Sequence, residues 1–138
     1  MNQVTLRPAW TVKENVEHII TKDADGNPLT GGKHYVFHLS PDIPANEYWS
    51  VIVYDSKTRF IIKNDQMWPS VYATSKGLKY NKDGSIDVFF GPGNYTGNKN
   101  NWIQTIPGKE WTMVLRLYGT TESWHNQTWM PCEIEAIK

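Results

Sequence analysis

The 138-residue sequence holds a single cysteine, Cys132, so no disulfide forms within the chain. A small, apolar, buried thiol near the C-terminus is the expectation for it. Basic and acidic residues balance at fourteen each. That leaves no net field to draw in nucleic acid or an anionic membrane, and neither is expected as a partner. No apolar run approaches the roughly 20 residues that cross a bilayer. The stretch Met1 to Arg7 lacks the charged-then-apolar layout of a secretion signal, so a cytoplasmic location is the default expectation. Two glycosylation triplets, Asn94-Tyr95-Thr96 and Asn126-Gln127-Thr128, are then chance matches. No glycine-rich phosphate loop occurs, and no His-x-His pair. Nothing therefore calls for a nucleotide, a metal or any other cofactor.

Aromatic residues are plentiful, at 13% of the chain, with seven Trp and seven Tyr. Each couples a large apolar area to one polar handle, which suits both a sandwich core and a sugar-stacking surface. Their setting is a period-two pattern. Tyr35, Phe37 and Leu39 share one face of Lys33 to Leu39. The run Trp49 to Asp55 is apolar on both faces, as in a central strand covered on both sides. Ile86 to Phe90 alternates, Trp111 to Tyr118 is the longest strand, and Glu133 to Ile137 reads as a last one. Asp25-Gly26-Asn27-Pro28, Lys82-Asp83-Gly84-Ser85 and Pro107-Gly108 supply turn residues. Asp83-Gly84 predicts a hairpin joining Leu78-Lys79-Tyr80 to Ile86-Asp87-Val88. Gly93 to Asn101 reads as a surface loop, and Val12 to His18 as a short helix. Many short strands at this spacing predict one all-β domain over residues 1–138, an antiparallel two-sheet sandwich of jelly-roll type. At this length roughly 68–70% of the unfolded surface is buried, enough for a core without staples.

His34 and His38 stand four apart, a chelating spacing on a helix but about 13 Å on a strand, too far for one ion. Asp23-Ala24-Asp25-Gly26-Asn27 begins like a calcium loop, but its glycine is fourth and its twelfth position is His34. A turn accounts for it. Cys132 has no histidine near it in sequence to activate it. Arg116 interrupts an apolar strand, with Val114 and Tyr118 on its face, and a buried guanidinium must be paired. Asp55 and Asp87 are candidate partners. The alternative is an arginine that grips an anionic ligand, framed by Tyr54 and Tyr118. Trp49 and Trp111 open apolar strands and belong to the core. Trp68 and Trp124 fall in predicted loops and are the candidates for an exposed platform, with Trp102 and Trp129 further possibilities.

One ordered series of motifs is more specific. Asp23-Ala24-Asp25-Gly26-Asn27-Pro28-Leu29 is followed by Tyr48-Trp49-Ser50-Val51 with Tyr54-Asp55, then Asp83-Gly84-Ser85. Asn101-Trp102-Ile103-Gln104-Thr105 with Pro107-Gly108, Leu115-Arg116-Leu117-Tyr118-Gly119 and Trp129-Met130-Pro131 complete it. Over Asp23 to Ile137 the chain resembles the domain of unknown function 1214. The resemblance implies a jelly-roll-like sandwich, commonly placed behind a second domain of unknown function, 1254. No such segment is recognised here, so self-association or a separate upstream-domain partner chain is expected to cover the face it would occupy. The resemblance carries no activity and no catalytic residues.

The expectation is a non-catalytic binding or assembly module for a small molecule, glycan or protein partner. Its ligand-binding candidates are Arg116, Asp55, Tyr54, Tyr118, Trp68 and Trp124. Two alternatives stay open: an enzyme of unfamiliar type with a pocket around Arg116, Asp55 and Tyr118, or a structural or virion-associated jelly-roll protein.

Overall fold

The computed structural model describes residues 15–66, 69–93 and 99–137. Eight strands follow in order: β1 (Asn15–Ile20), β2 (Tyr35–Leu39), β3 (Ala45–Asp55), β4 (Ser70–Tyr72), β5 (Ile86–Gly91), β6 (Trp102–Gln104), β7 (Trp111–Thr120) and β8 (Ile134–Ala136). A single turn of helix, α1 (Glu122–His125), lies between the last two. The strands form two four-stranded sheets, ordered β1-β7-β3-β4 and β6-β5-β2-β8. Pairing is antiparallel except between β5 and β6, which run parallel. As the sequence predicts, the fold is an all-β two-sheet sandwich, and β1, β2 and β3 alternate between sheets in jelly-roll fashion.

The period-two pattern explains the core. Tyr35, Phe37 and Leu39 of β2 and Ile86, Val88 and Phe90 of β5 are buried on one sheet. Trp49, Val51 and Val53 of β3 and Trp111, Met113, Leu115 and Leu117 of β7 meet them from the other. Each such side chain contributes about 1.5–3 kcal/mol by leaving water. Trp111 lies 4.7 Å from the Phe90 ring and edge-on to Tyr35 at 5.4 Å between centroids. Its buried indole N–H has no hydrogen-bond partner among the described residues.

Four local expectations are corrected. The stretch Val12 to His18 is not a helix where it is described: Asn15 to His18 belong to β1, and residues 12–14 lie outside the described residues. Val16, His18 and Ile20 are the more buried set and Asn15, Glu17 and Ile19 the exposed one, a period of two that overrides helical propensity. The hairpin at Asp83-Gly84 is a turn without a second strand. Gly84 takes φ 88° and its N–H reaches Asn81, yet Leu78 to Tyr80 do not pair with β5. The buried Asn101 side chain takes the Lys79 N–H and donates to the Lys79 and Asp87 carbonyls, while β6 occupies the edge of β5. Asn101 is thus buried at 3% exposure, although it closes a predicted surface loop whose residues 94–98 lie outside the described residues. Finally, β3 is covered on one face only: it lies between β7 and β4, and Ile52 and Tyr54 on its outer face are half-exposed.

Cys132 is half-buried just before β8. No helix among the described residues is long and apolar enough to cross a membrane.

Candidate functional site

The uncovered outer face of the β1-β7-β3-β4 sheet carries the candidate site. Alternation sends Thr112, Val114, Arg116 and Tyr118 of β7 outward, because Trp111, Met113, Leu115 and Leu117 take the core side. Antiparallel register then sets their neighbours. Glu17 of β1 and Ser50 of β3 flank Arg116, Ile19 and Ile52 flank Val114, and Tyr54 stands beside Thr112. An open groove of about 610 Å³ runs over this surface. Glu17, Ile19, Tyr54, Thr112, Val114 and Arg116 line it, together with the charged Lys22, Asp55, Arg59 and Glu110.

Arg116 and Glu17 form the row at one end of it. The Arg116 Nε donates to Glu17 Oε2 at 2.7 Å and its Nη2 to the Tyr54 hydroxyl at 3.1 Å. Its Nη1 engages no described residue. Partial burial opposes the charge, but the hydrogen bond and charge of Glu17, with the flanking tyrosine hydroxyls, outweigh it and raise the Arg116 pKa. The side chain keeps 31% of its surface exposed and Glu17 keeps 54%. The expected buried arginine is therefore a half-exposed one, paired with Glu17 in place of Asp55 or Asp87.

Asp55 borders the groove but is already engaged. Its Oδ1 accepts from the N–H groups of Lys57 at 2.8 Å and Thr58 at 3.2 Å, and Oδ2 meets Lys109 Nζ at 3.3 Å. The Thr58 and Lys57 N–H bonds are the main cause of a pKa below the usual carboxylate range. It closes the turn after β3. In the same turn Arg59 takes φ 64°, a left-handed conformation that costs a non-glycine residue free energy. Asp87, on the other sheet, bonds His38 Nδ1 at 2.6 Å. Among the described residues no group of three or more His, Cys, Asp or Glu is placed to hold a metal. The Asp23 turn is closed by its own carboxylate, which accepts from the Asp25 and Asn27 N–H groups.

The remaining candidates separate. Tyr54 is in the groove. Tyr118 lies on the same face, 5.8 Å from the Tyr48 ring, which is 6.1 Å from Tyr72. Trp68 lies outside the described residues. Trp124, on α1, is half-buried and packs 6.2 Å from the His18 ring and 6.4 Å from Trp129. These three, with Met130, line a smaller hollow of about 290 Å³. Burial lowers the pKa of His18 there. Trp129 is buried and donates to the Ser40 and Pro41 carbonyls. Trp102 is half-buried and donates to the Gly91 carbonyl. Trp49 and Trp111 are core, as their strand positions predict.

Residues 14–122 match the family model described as "Protein of unknown function (DUF1214)". The chain belongs to the DUF1214 family. The match begins before the first motif read from the sequence and ends ahead of Trp129-Met130-Pro131. Two solved structures have the same fold. The VPA0106 protein from Vibrio parahaemolyticus superposes with a TM-score of 0.78 at 22% identity, over 99% of this chain and 34% of its own. An uncharacterised protein from Burkholderia cenocepacia does so with a TM-score of 0.56 at 17% identity, over 89% of this chain and 29% of its own. This DUF1214 chain thus spans about a third of the neighbours' length, and at these identities the likeness concerns the fold alone. No curated protein matches the chain in sequence.

Three residues of this outer face escape sequence reasoning. Glu17 sits in the segment read as helix, and the alternation Val16, His18, Ile20 was the signal that placed it on a strand. Tyr48 and Tyr72 join Tyr118 only through the register of three strands.

Proposed function

We propose that the domain is a non-catalytic binding module whose ligand, a small polar molecule, occupies the outer-face groove that Arg116 helps to line. One observation carries the reading: Arg116 is held by Glu17 and Tyr54, lines an open groove, and keeps an Nη1 that no described residue engages. A guanidinium held in this way recognises a ligand with little loss of side-chain entropy. The groove's 610 Å³ falls within the range of small-molecule sites, roughly 300–1,000 Å³. The shared core supports treating the whole chain as one domain.

The enzyme reading has less support. Asp55 is saturated by backbone N–H groups and by Lys109, and its depressed pKa makes it a weak base. Tyr118 packs with Tyr48 and does not line the groove. Assembly through the same face is the competing outcome.

Native mass spectrometry on the purified protein and on Arg116→Ala separates these. A discrete extra mass on the folded monomer, lost in Arg116→Ala, is expected. The same mass retained in the variant, or a ligand-free oligomer in both, would overturn the proposal.

A further inference from the structure

Alternation along β1 sends His18 to the face opposite Glu17 and Ile19, where it meets α1 away from the outer-face groove. The hollow of about 290 Å³ opens there, and none of its residues lines that groove. Its walls are preformed. The Trp129 N–H bonds the Ser123 carbonyl at 3.0 Å, and the Gln127 N–H bonds the Trp124 carbonyl at 3.2 Å. These bonds fold the chain back onto α1 and hold Gln127, which lines the hollow, at φ 62°. A residue with a side chain keeps that left-handed conformation only where its surroundings impose it. Trp129 is fixed by the Ser40 and Pro41 carbonyls, which use its indole N–H and leave it ring carbon to offer. Walls held in this way lose little side-chain entropy when a ligand enters.

The lining selects the chemistry. No Asp, Glu, Lys or Arg contributes to it. Burial disfavours a charge on His18, and His125 Nε2 is taken up by the Thr120 hydroxyl at 3.0 Å. An anion or a cation entering here would shed water without meeting an opposite charge, the most costly form of desolvation. A sugar would bring several hydroxyls to a hollow with few polar groups, and each one left unpaired opposes binding. Carbon surface is what the site has in quantity: Trp124, Trp129, Pro131 and Met130, the last 63% exposed. A methionine is unbranched and flexible, and its sulfur favours the edge of an aromatic ring. Size agrees. A dry cavity of about 150 Å³ is enough for benzene, so 290 Å³ holds a molecule of one or two rings. We propose that this hollow is a second binding site, for a small uncharged aromatic molecule seated against Trp124 and Trp129 with Met130 at its mouth.

The test is an amide and indole proton–nitrogen NMR titration of the full chain. Indole and para-cresol are the neutral rings, benzoate and benzylamine the charged ones, and maltose the polar neutral probe. Each is used at about 5 mM, above a millimolar dissociation constant. At least one neutral ring is expected to shift the amides of His18, Gln127 and Met130 and the indole signals of Trp124 and Trp129. Benzoate and benzylamine should bind at least about tenfold more weakly, and Tyr54 and Thr112 of the outer-face groove should stay silent. Met130→Glu places an unpaired charge at the mouth and should weaken the neutral titration at least about tenfold, while Met130→Leu should retain it. A wild-type-like spectrum confirms that each variant folds. A charged ring or maltose that shifts these signals as strongly as the neutral rings overturns the uncharged aromatic assignment. No shift from either neutral ring, or shifts confined to Tyr54 and Thr112, overturns the site itself. An unchanged titration in Met130→Glu does the same.

Discussion

Glu17 and Arg116 are direct cross-strand partners on the outer face of the sandwich, joined at 2.7 Å although 99 residues apart in sequence. Arg116 is half-exposed and Glu17 exposed, and cross-strand pairs of this kind contribute roughly 0.2–1 kcal/mol. Glu17→Ala, Arg116→Ala and the double variant, compared by urea denaturation, are therefore expected to show a coupling below about 1 kcal/mol. A coupling of several kcal/mol would make the pair a structural anchor and weaken the case for a binding role.

Acid should destabilise the fold through Asp55. Its folded pKa lies below the ordinary 3.8, so its contribution is complete above that value. It is lost as pH falls from there through the lower folded pKa, because the unfolded chain binds the proton first. Asp55→Asn should flatten the fall in the urea midpoint between about pH 5 and about pH 2, a window set by that displaced titration. Asp83, shifted the same way by its bonds to Ser85, keeps the slope from vanishing. An unchanged slope in Asp55→Asn would contradict the turn-closing role.

His18 should titrate below its ordinary 6.5, since burial beside Trp124 disfavours the charged ring. The sign follows: stability is full above 6.5 and declines as pH drops from there toward the folded midpoint. Ring-proton NMR checks it directly. A midpoint at or above 6.5 would mean that the hollow at α1 is wetter than described.

Gly31 marks a close approach of two backbones. A Cβ there would lie 1.8 Å from the Ile106 carbonyl oxygen, and the Gly31 carbonyl accepts from the Thr105 hydroxyl at 2.9 Å. Backbone cannot swing aside as a side chain does, so Gly31→Ala should cost at least about 2 kcal/mol. A neutral substitution, measured by thermal unfolding, would show that this crossing is looser.

The strands rich in apolar residues were legible: β2, β3, β5, β7 and β8 stand within a few residues of their predicted places. The face of the site was legible as far as one strand carries it, since Val114, Arg116 and Tyr118 share a face by period alone. What the sequence could not supply was register. Glu17 meets Arg116, and Tyr72 meets Tyr48, only because β1, β7, β3 and β4 align as they do. The hairpin that was expected but does not form has the same cause: a side chain 22 residues away, Asn101, takes the Lys79 backbone groups that a strand would have used.

The measurement that most directly tests the outer-face groove is an amide NMR map of the protein before and after addition of the small-molecule fraction of a cell extract. Perturbations should concentrate at Glu17, Tyr54, Thr112, Val114 and Arg116 and disappear in Arg116→Ala. Perturbations confined to Trp124, Trp129 and Met130, with the outer face silent, would contradict it.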